Sequence, residues 1–300
     1  MAQGTIRAHA PGEGEIRDLG YRRYEGARLA HRTRYRVLSR YAFSLAWASG
    51  LVKADLILGM FPVVVCAVVM FFKIKAQQLL AGQNAPIEIE DPSFWVYYCL
   101  FWCQIWFAFA MSLLSAAPAI AEDVRTGAFQ FYFARPVAAA HYLWGKLLGA
   151  GGLILLVCAP PGILLALVRV ALGGSGKASL ALLPLVPLAL LYAAIITVSL
   201  TLPAVALSSV SRRAGYVQGG WAALFFFPWV LGEAMAAATD VPYLVLLSLP
   251  TNLRLVGQYL FGVPRSYPLP WYLPAGVLAL VVGLSVWFVW RRLRRVEIFA

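Results

Sequence analysis

Charge is scarce in this sequence. Only 13% of its 300 residues are Asp, Glu, Lys or Arg, roughly half the share of a soluble domain, which excludes a water-soluble globular fold. Acidic groups are the scarcer kind, 13 against 25 Lys and Arg. Histidine occurs three times (His9, His31, His141) and never in the H-E-x-x-H spacing of a helix-borne zinc protease site. The four cysteines, Cys66, Cys99, Cys103 and Cys158, lie inside hydrophobic runs and form no paired framework of the secreted kind. Cys99 and Cys103, at i and i+4, read as small packing residues, so no metal site is expected. Residues 173–178, Gly-Gly-Ser-Gly-Lys-Ala, resemble a phosphate loop only briefly. The required first glycine falls on Ala171, and Ala178 follows the lysine where Ser or Thr must stand. Ionisable groups are nearly absent from the apolar runs: Asp55 and Glu233 fall near their ends, and Gln104 and Gln218 are the interior polar residues. An ion-coupled carrier buries such groups along its path, so energy for any transport is expected from outside this chain.

What is abundant is hydrophobicity, 61% of residues with a mean hydropathy of +0.75. Six runs, 55–72, 94–121, 142–170, 180–208, 216–236 and 271–290, are each about 18 residues or longer. At 1.5 Å rise per residue that matches a hydrocarbon core about 30 Å thick. The expected fold is an all-α polytopic membrane protein with six transmembrane helices. Lys and Arg then set its orientation. Ten precede or include Lys53, Arg125, Arg135 and Lys146 follow the second run, Arg212 and Arg213 the fourth, and Arg291, Arg292, Arg294 and Arg295 the sixth. These nineteen lie on one side; Lys73, Lys75, Arg169, Lys177, Arg254 and Arg265 lie on the other. The positive-inside rule makes the first side, with both termini, cytoplasmic. The net charge of +12 is accounted for by this asymmetry and by affinity for anionic lipid headgroups, with no need of nucleic acid.

Residues 1–26 read as a mobile cytoplasmic tail, and 293–300 as a second; the arginine-rich start has no apolar core of a cleavable signal. Over 27–53, Arg28, Arg32, Arg36 and Arg40 recur every fourth residue and form one cationic stripe. That pattern predicts an amphipathic helix in the membrane interface, apolar face in lipid. Residues 54–292 hold the six spans. Within them, 239–268 includes a run bracketed by Pro242 and Pro250, too short to cross, then helical spacing of Leu253, Leu255, Tyr259 and Leu260. Two short re-entrant helices packed on protein are expected. The small-xxx-small pairs Gly145–Gly149 and Gly215–Gly219 predict close helix approach, and Pro160, Pro161, Pro184, Pro187 and Pro203 predict kinks.

The segment between the second and third runs is the most informative. It reads Ile120-Ala-Glu-Asp-Val-Arg-Thr-Gly127, then Ala134-Arg-Pro-Val137 and Tyr142-Leu-Trp-Gly-Lys146. With six spans, cytoplasmic termini and a re-entrant pair, this resembles the permeases of ABC-2 type exporters over nearly the whole hydrophobic chain. Gln130 stands where that family often has an acidic residue. The resemblance implies a half-transporter of the inner (cytoplasmic) membrane. A second permease, identical or related, would pair with it, and two copies of a separate ATPase would carry ATP and Mg. This chain would itself hold no cofactor and catalyse nothing. A coupling helix at about 122–133 would dock on the ATPase through Glu122, Asp123, Arg125, Gly127, Phe129 and Arg135.

Family members pass cargo largely between the second and fifth spans. Trp95, Tyr98, Trp102, Trp106 and Phe109 fall on one helical stripe of the second run, and the fifth offers Phe225, Phe226, Phe227 and Trp229. Trp102, Trp106, Phe109, Phe226 and Trp229 are thus the candidate cargo path for an apolar or amphipathic molecule; lipid-facing packing is the alternative. A second reading of the whole chain is a membrane anchor that transmits ATPase-driven force outward without passing cargo. An intramembrane enzyme is disfavoured by the missing catalytic groups.

Overall fold

The structure is a computed structural model that describes residues 33–80, 94–128, 138–173 and 176–299. Those residues are helical almost throughout, and no strand occurs among them. Six helices are long and apolar enough to cross a membrane: span 1 (Gly50–Gln77), span 2 (Phe94–Thr126), span 3 (Ala139–Ala171), span 4 (Gly176–Ser208), span 5 (Ala214–Thr239) and span 6 (Tyr272–Arg292). The chain is accordingly a multi-pass helical membrane protein. Prolines inside the helices (Pro62, Pro160, Pro161, Pro203, Pro228) are accommodated within continuous runs, as is usual where neighbouring helices take up the freed backbone groups.

Spans 2 and 3 form the centre. Of span 2's most apolar window 61% is buried, against 17% for span 5 and 22% for spans 1 and 6. Leu100, Met111, Leu153, Ile154, Tyr192 and Ile196 are fully buried where spans 2, 3 and 4 meet. Lipid is as apolar as these side chains, so close packing and hydrogen bonds supply the association energy rather than exclusion of water.

Span 2 is not a uniform α-helix. It passes through π-helical turns at Cys99–Gln104 and Ser112–Ala116. Each π turn is tied to a neighbour by a polar side chain. Gln104 donates through Nε2 to the Gly59 carbonyl of span 1 at 2.6 Å. At the second turn, Gln218 of span 5 donates to the Leu113 carbonyl at 2.9 Å, and Trp221 Nε1 donates to Ser112 Oγ at 2.8 Å. Replacing Ser112 by alanine strands the buried indole N–H. A loss of about 1–3 kcal/mol is expected, read as a melting midpoint several degrees lower; an unchanged midpoint counts against this tie.

The N-terminal helix, expected over 27–53, spans Arg34–Trp47 among the described residues, and a break at Ala48 and Ser49 separates it from span 1. Arg36 and Arg40 are exposed as the stripe predicts, while Arg28 and Arg32 lie outside the described residues, as does the 1–26 tail. One face of this helix packs on span 3, while Val37, Tyr41 and Leu45 remain exposed on another. A Cβ on Gly145 would stand 2.5 Å from Leu38 Cβ, and one on Gly149 would stand 2.6 Å from Ala42 Cβ. The two glycines of span 3 form the groove in which this helix sits. Gly215 and Gly219, by contrast, have no atom within 4 Å of an added Cβ, so the close approach expected there is not made among the described residues.

Between spans 5 and 6 lie two short helices: a 3-10 helix, Pro242–Leu247, then an α-helix, Leu249–Phe261. Ser248 caps the second by accepting from the Thr251 N–H, and Gly262, at φ 67°, ends it in the left-handed conformation. Asn252 Nδ2 donates to the Leu246 and Ser248 carbonyls at 2.7 and 2.6 Å, closing the joint between the two helices.

Candidate functional site

Span 2 ends in an elbow. After the bend at Ala117–Ile120 a short helix, Ala121–Thr126, is terminated by Gly127 at φ 71°. The helix expected over 122–133 is interrupted at Gly127, which adopts a left-handed conformation; Ala128 is helical again, and residues 129–133 lie outside the described residues. Phe129 and Arg135 lie outside the described residues. Ser208, at the end of span 4, accepts from the N–H groups of Ile120 and Ala121, both at 3.0 Å, and holds the bend.

The two acidic residues of the elbow face opposite ways. Glu122 pairs with Arg125 one turn on, on the outer surface, where Arg125 is 58% exposed. Asp123 is buried. Its Oδ2 accepts from the Tyr142 hydroxyl at 2.6 Å and lies 2.6 Å from Lys146 Nζ, with both charged side chains under 10% exposed. Tyr142 and Lys146 are i and i+4 on span 3, so one carboxylate gathers both residues from one helix face. The expectation placed Asp123 among exposed docking groups; the structure places it inside, fastening the elbow to span 3. Sequence reasoning had both halves of the motif but not their pairing. A cavity of about 270 Å³ lies beside this pair, between the elbow and the N-terminal helix, lined in part by Ala42, Leu45, Glu122, Asp123 and Lys146.

The aromatic residues singled out from the sequence do come together. Trp106 stacks on Phe226 (centroids 6.0 Å apart, 11° between planes) and lies 5.4 Å from Trp229. Phe109 stacks on Phe225 at 4.1 Å and meets Phe226 edge-on at 5.3 Å. Trp102 stands at the outer edge of the same cleft, 41% exposed, while Phe109 is 5% exposed. Spans 2 and 5 therefore meet through rings, at separations where aromatic pairs attract.

Above this cleft, at the end of the bundle opposite the elbow, is a polar cluster that residue spacing does not announce. Glu233 of span 5 accepts from Arg254 and Thr251 of the re-entrant helix (2.6 and 2.9 Å) and from the Tyr267 hydroxyl (2.5 Å). Burial, then the adjoining Glu233 carboxylate, hold the Tyr267 phenol above its usual range, so it remains an O–H donor. Tyr192 donates to the Leu253 carbonyl at 2.9 Å, and Gly257 lets the helix seat on Tyr192 and Tyr97, where an added Cβ would fall 2.5–2.8 Å from ring atoms. The only sequence signal was two opposite charges, Glu233 and Arg254, near one membrane face.

Among the described residues no group of three or more His, Cys, Asp or Glu side chains is placed to hold a metal ion. Comparison with known proteins adds no relative: no protein-family model matches the chain, and no curated protein matches it.

Proposed function

We propose that this chain is the permease subunit of an ATP-driven exporter of the ABC-2 kind. In this reading two permeases pair in the inner membrane, both termini cytoplasmic, over two separate ATPase subunits that carry ATP and Mg. The ATPase docks on the segment 122–137 through Glu122, Arg125, Gly127, Phe129 and Arg135. What supports the reading most is the buried Asp123–Lys146–Tyr142 connection. A docking element must pass force to the spans without slack, and this one is joined to span 3 by an ion pair and to span 4 through Ser208. The N-terminal helix, lodged on Gly145 and Gly149, braces the same end. The aromatic cleft between spans 2 and 5 provides a path for an apolar or amphipathic cargo.

The decisive experiment is purification of the tagged chain in mild detergent from cells that express its natural partners, with ATPase activity assayed on the eluate. An ATPase subunit should co-purify, and the double substitution Arg125→Ala and Phe129→Ala should release it without reducing the yield of permease. A chain that purifies alone with full yield overturns the exporter reading and its force-transmitting variant alike. An ATPase that co-purifies regardless of the substitutions moves docking away from this segment.

A further inference from the structure

The aromatic cleft carries one charged group. Besides Trp102, Trp106 and Trp229, its lining includes Thr251 and the guanidinium-bearing Arg254, but not Glu233. Arg254 therefore stands between the rings and the carboxylate. One terminal nitrogen, Nη2, is given to Glu233 at 2.6 Å, while Nε is buried with no partner. A guanidinium is a fork of donors that matches carboxylate and phosphate. Here one prong is satisfied inside the protein and another is buried without a hydrogen-bond acceptor in the protein, which is costly unless a ligand or a water accepts from it. The cleft itself is shut, with only about 10 Å³ of free space among the rings.

We propose that this cleft binds an amphipathic anion, its acidic headgroup on Arg254 and its apolar chain between Trp102, Trp106 and Trp229. Glu233 is the internal counter-ion that holds Arg254 when the site is empty, and the incoming headgroup competes with it for the guanidinium. The Glu233–Arg254 pair fastens span 5 to the re-entrant helix, so displacing it loosens the roof of the cleft as cargo enters. A cationic amphiphile of the same chain length has no counter-ion there, because the only charge lining the cleft among the described residues is positive. This rests on the exporter reading for its physiological meaning, but the binding step needs no ATPase.

The test uses the full chain in nanodiscs of zwitterionic lipid, without any ATPase, titrated with a bromine-labelled fatty acid that quenches tryptophan. A brominated alkyl-trimethylammonium of equal length is the comparison probe. Saturable quenching is expected with the acid and only shallow, linear quenching with the cation. Arg254→Gln should weaken acid binding about tenfold or more, the scale of a charge-assisted hydrogen bond. Arg254→Lys should retain part of it. Glu233→Gln should tighten it several-fold by removing the competitor, a direction that a damaged fold does not give. Linear quenching by the acid, equal saturation by the cation, or weakened binding in Glu233→Gln overturns the proposal. Because no ATPase is present, such a failure leaves the exporter reading standing, and loss of ATPase capture leaves this one standing.

Discussion

Replacing Lys146 with methionine is expected to cost the folded chain about 3–5 kcal/mol, because it leaves the Asp123 carboxylate buried with its charge uncompensated. Asp123 and Lys146 are 2.6 Å apart and both under 10% exposed, so bulk solvent screens the stranded carboxylate only weakly. The Tyr142 hydroxyl still donates to Asp123, but one neutral donor does not balance a full charge. Converting both partners, Asp123→Asn with Lys146→Met, should recover most of the loss, since the amide oxygen still accepts from Tyr142 and no charge is stranded. The measurement is the fraction of monodisperse protein surviving a heating series in detergent. A single variant as stable as the parent, or a double variant worse than the single, would show that the pair is not what holds the elbow. In the exporter reading the double variant has a second use. It keeps the elbow attached by a weaker, uncharged link, so ATPase binding should persist while its activity becomes less responsive to cargo.

Alanine at Gly149 is expected to release the N-terminal helix from the bundle. The new Cβ would stand 2.6 Å from Ala42 Cβ and 2.9 Å from the Ser39 carbonyl oxygen, and backbone cannot yield as a flexible side-chain end does. Overpacking of this kind costs about 1–3 kcal/mol, which in local opening corresponds to roughly five- to a hundredfold. Trypsin cleavage after Arg36 and Arg40, both exposed, should accelerate by that factor while the spans stay intact. Gly152 is the internal control, since a Cβ there meets only Phe43 Cδ2 at an ordinary 3.9 Å, and Gly152→Ala should cleave at the parent rate. Equal rates for the two variants would remove the groove from the account of how this helix is held.

The six candidate spans and the two short helices between the fifth and sixth were legible because a bilayer imposes run length and backbone satisfaction directly on the sequence. The aromatic stripe was legible as a period, and two of its five rings, Trp106 and Phe109, meet rings of span 5. The same period hid the π turns, which leave no mark in the spacing of apolar residues. Trp102 and Phe109, nominally on one face, consequently differ in exposure, 41% against 5%. Pairings between separated residues were illegible for a different reason. Nothing local distinguishes Asp123, which turns inward to span 3, from Glu122, which turns outward to Arg125. Gly145–Gly149 and Gly215–Gly219 carry the same spacing, yet among the described residues only the first pair has a helix lying on it. Small residues permit approach without specifying the partner.

The π turns of span 2 bear on how this chain tolerates change in length. A π turn closes with one more residue than an α turn. Each is thus equivalent to a single-residue insertion absorbed on the spot, with the flanking α segments kept in phase with their neighbours. Losing one residue from 99–104 would let that stretch wind as plain α-helix and leave both flanks facing as they do now, whereas the same loss from the α segment Ile105–Met111 would turn everything beyond it by about 100°. Single-residue deletions along this span should accordingly fall into two groups by position, mild within the wide turns and severe between them.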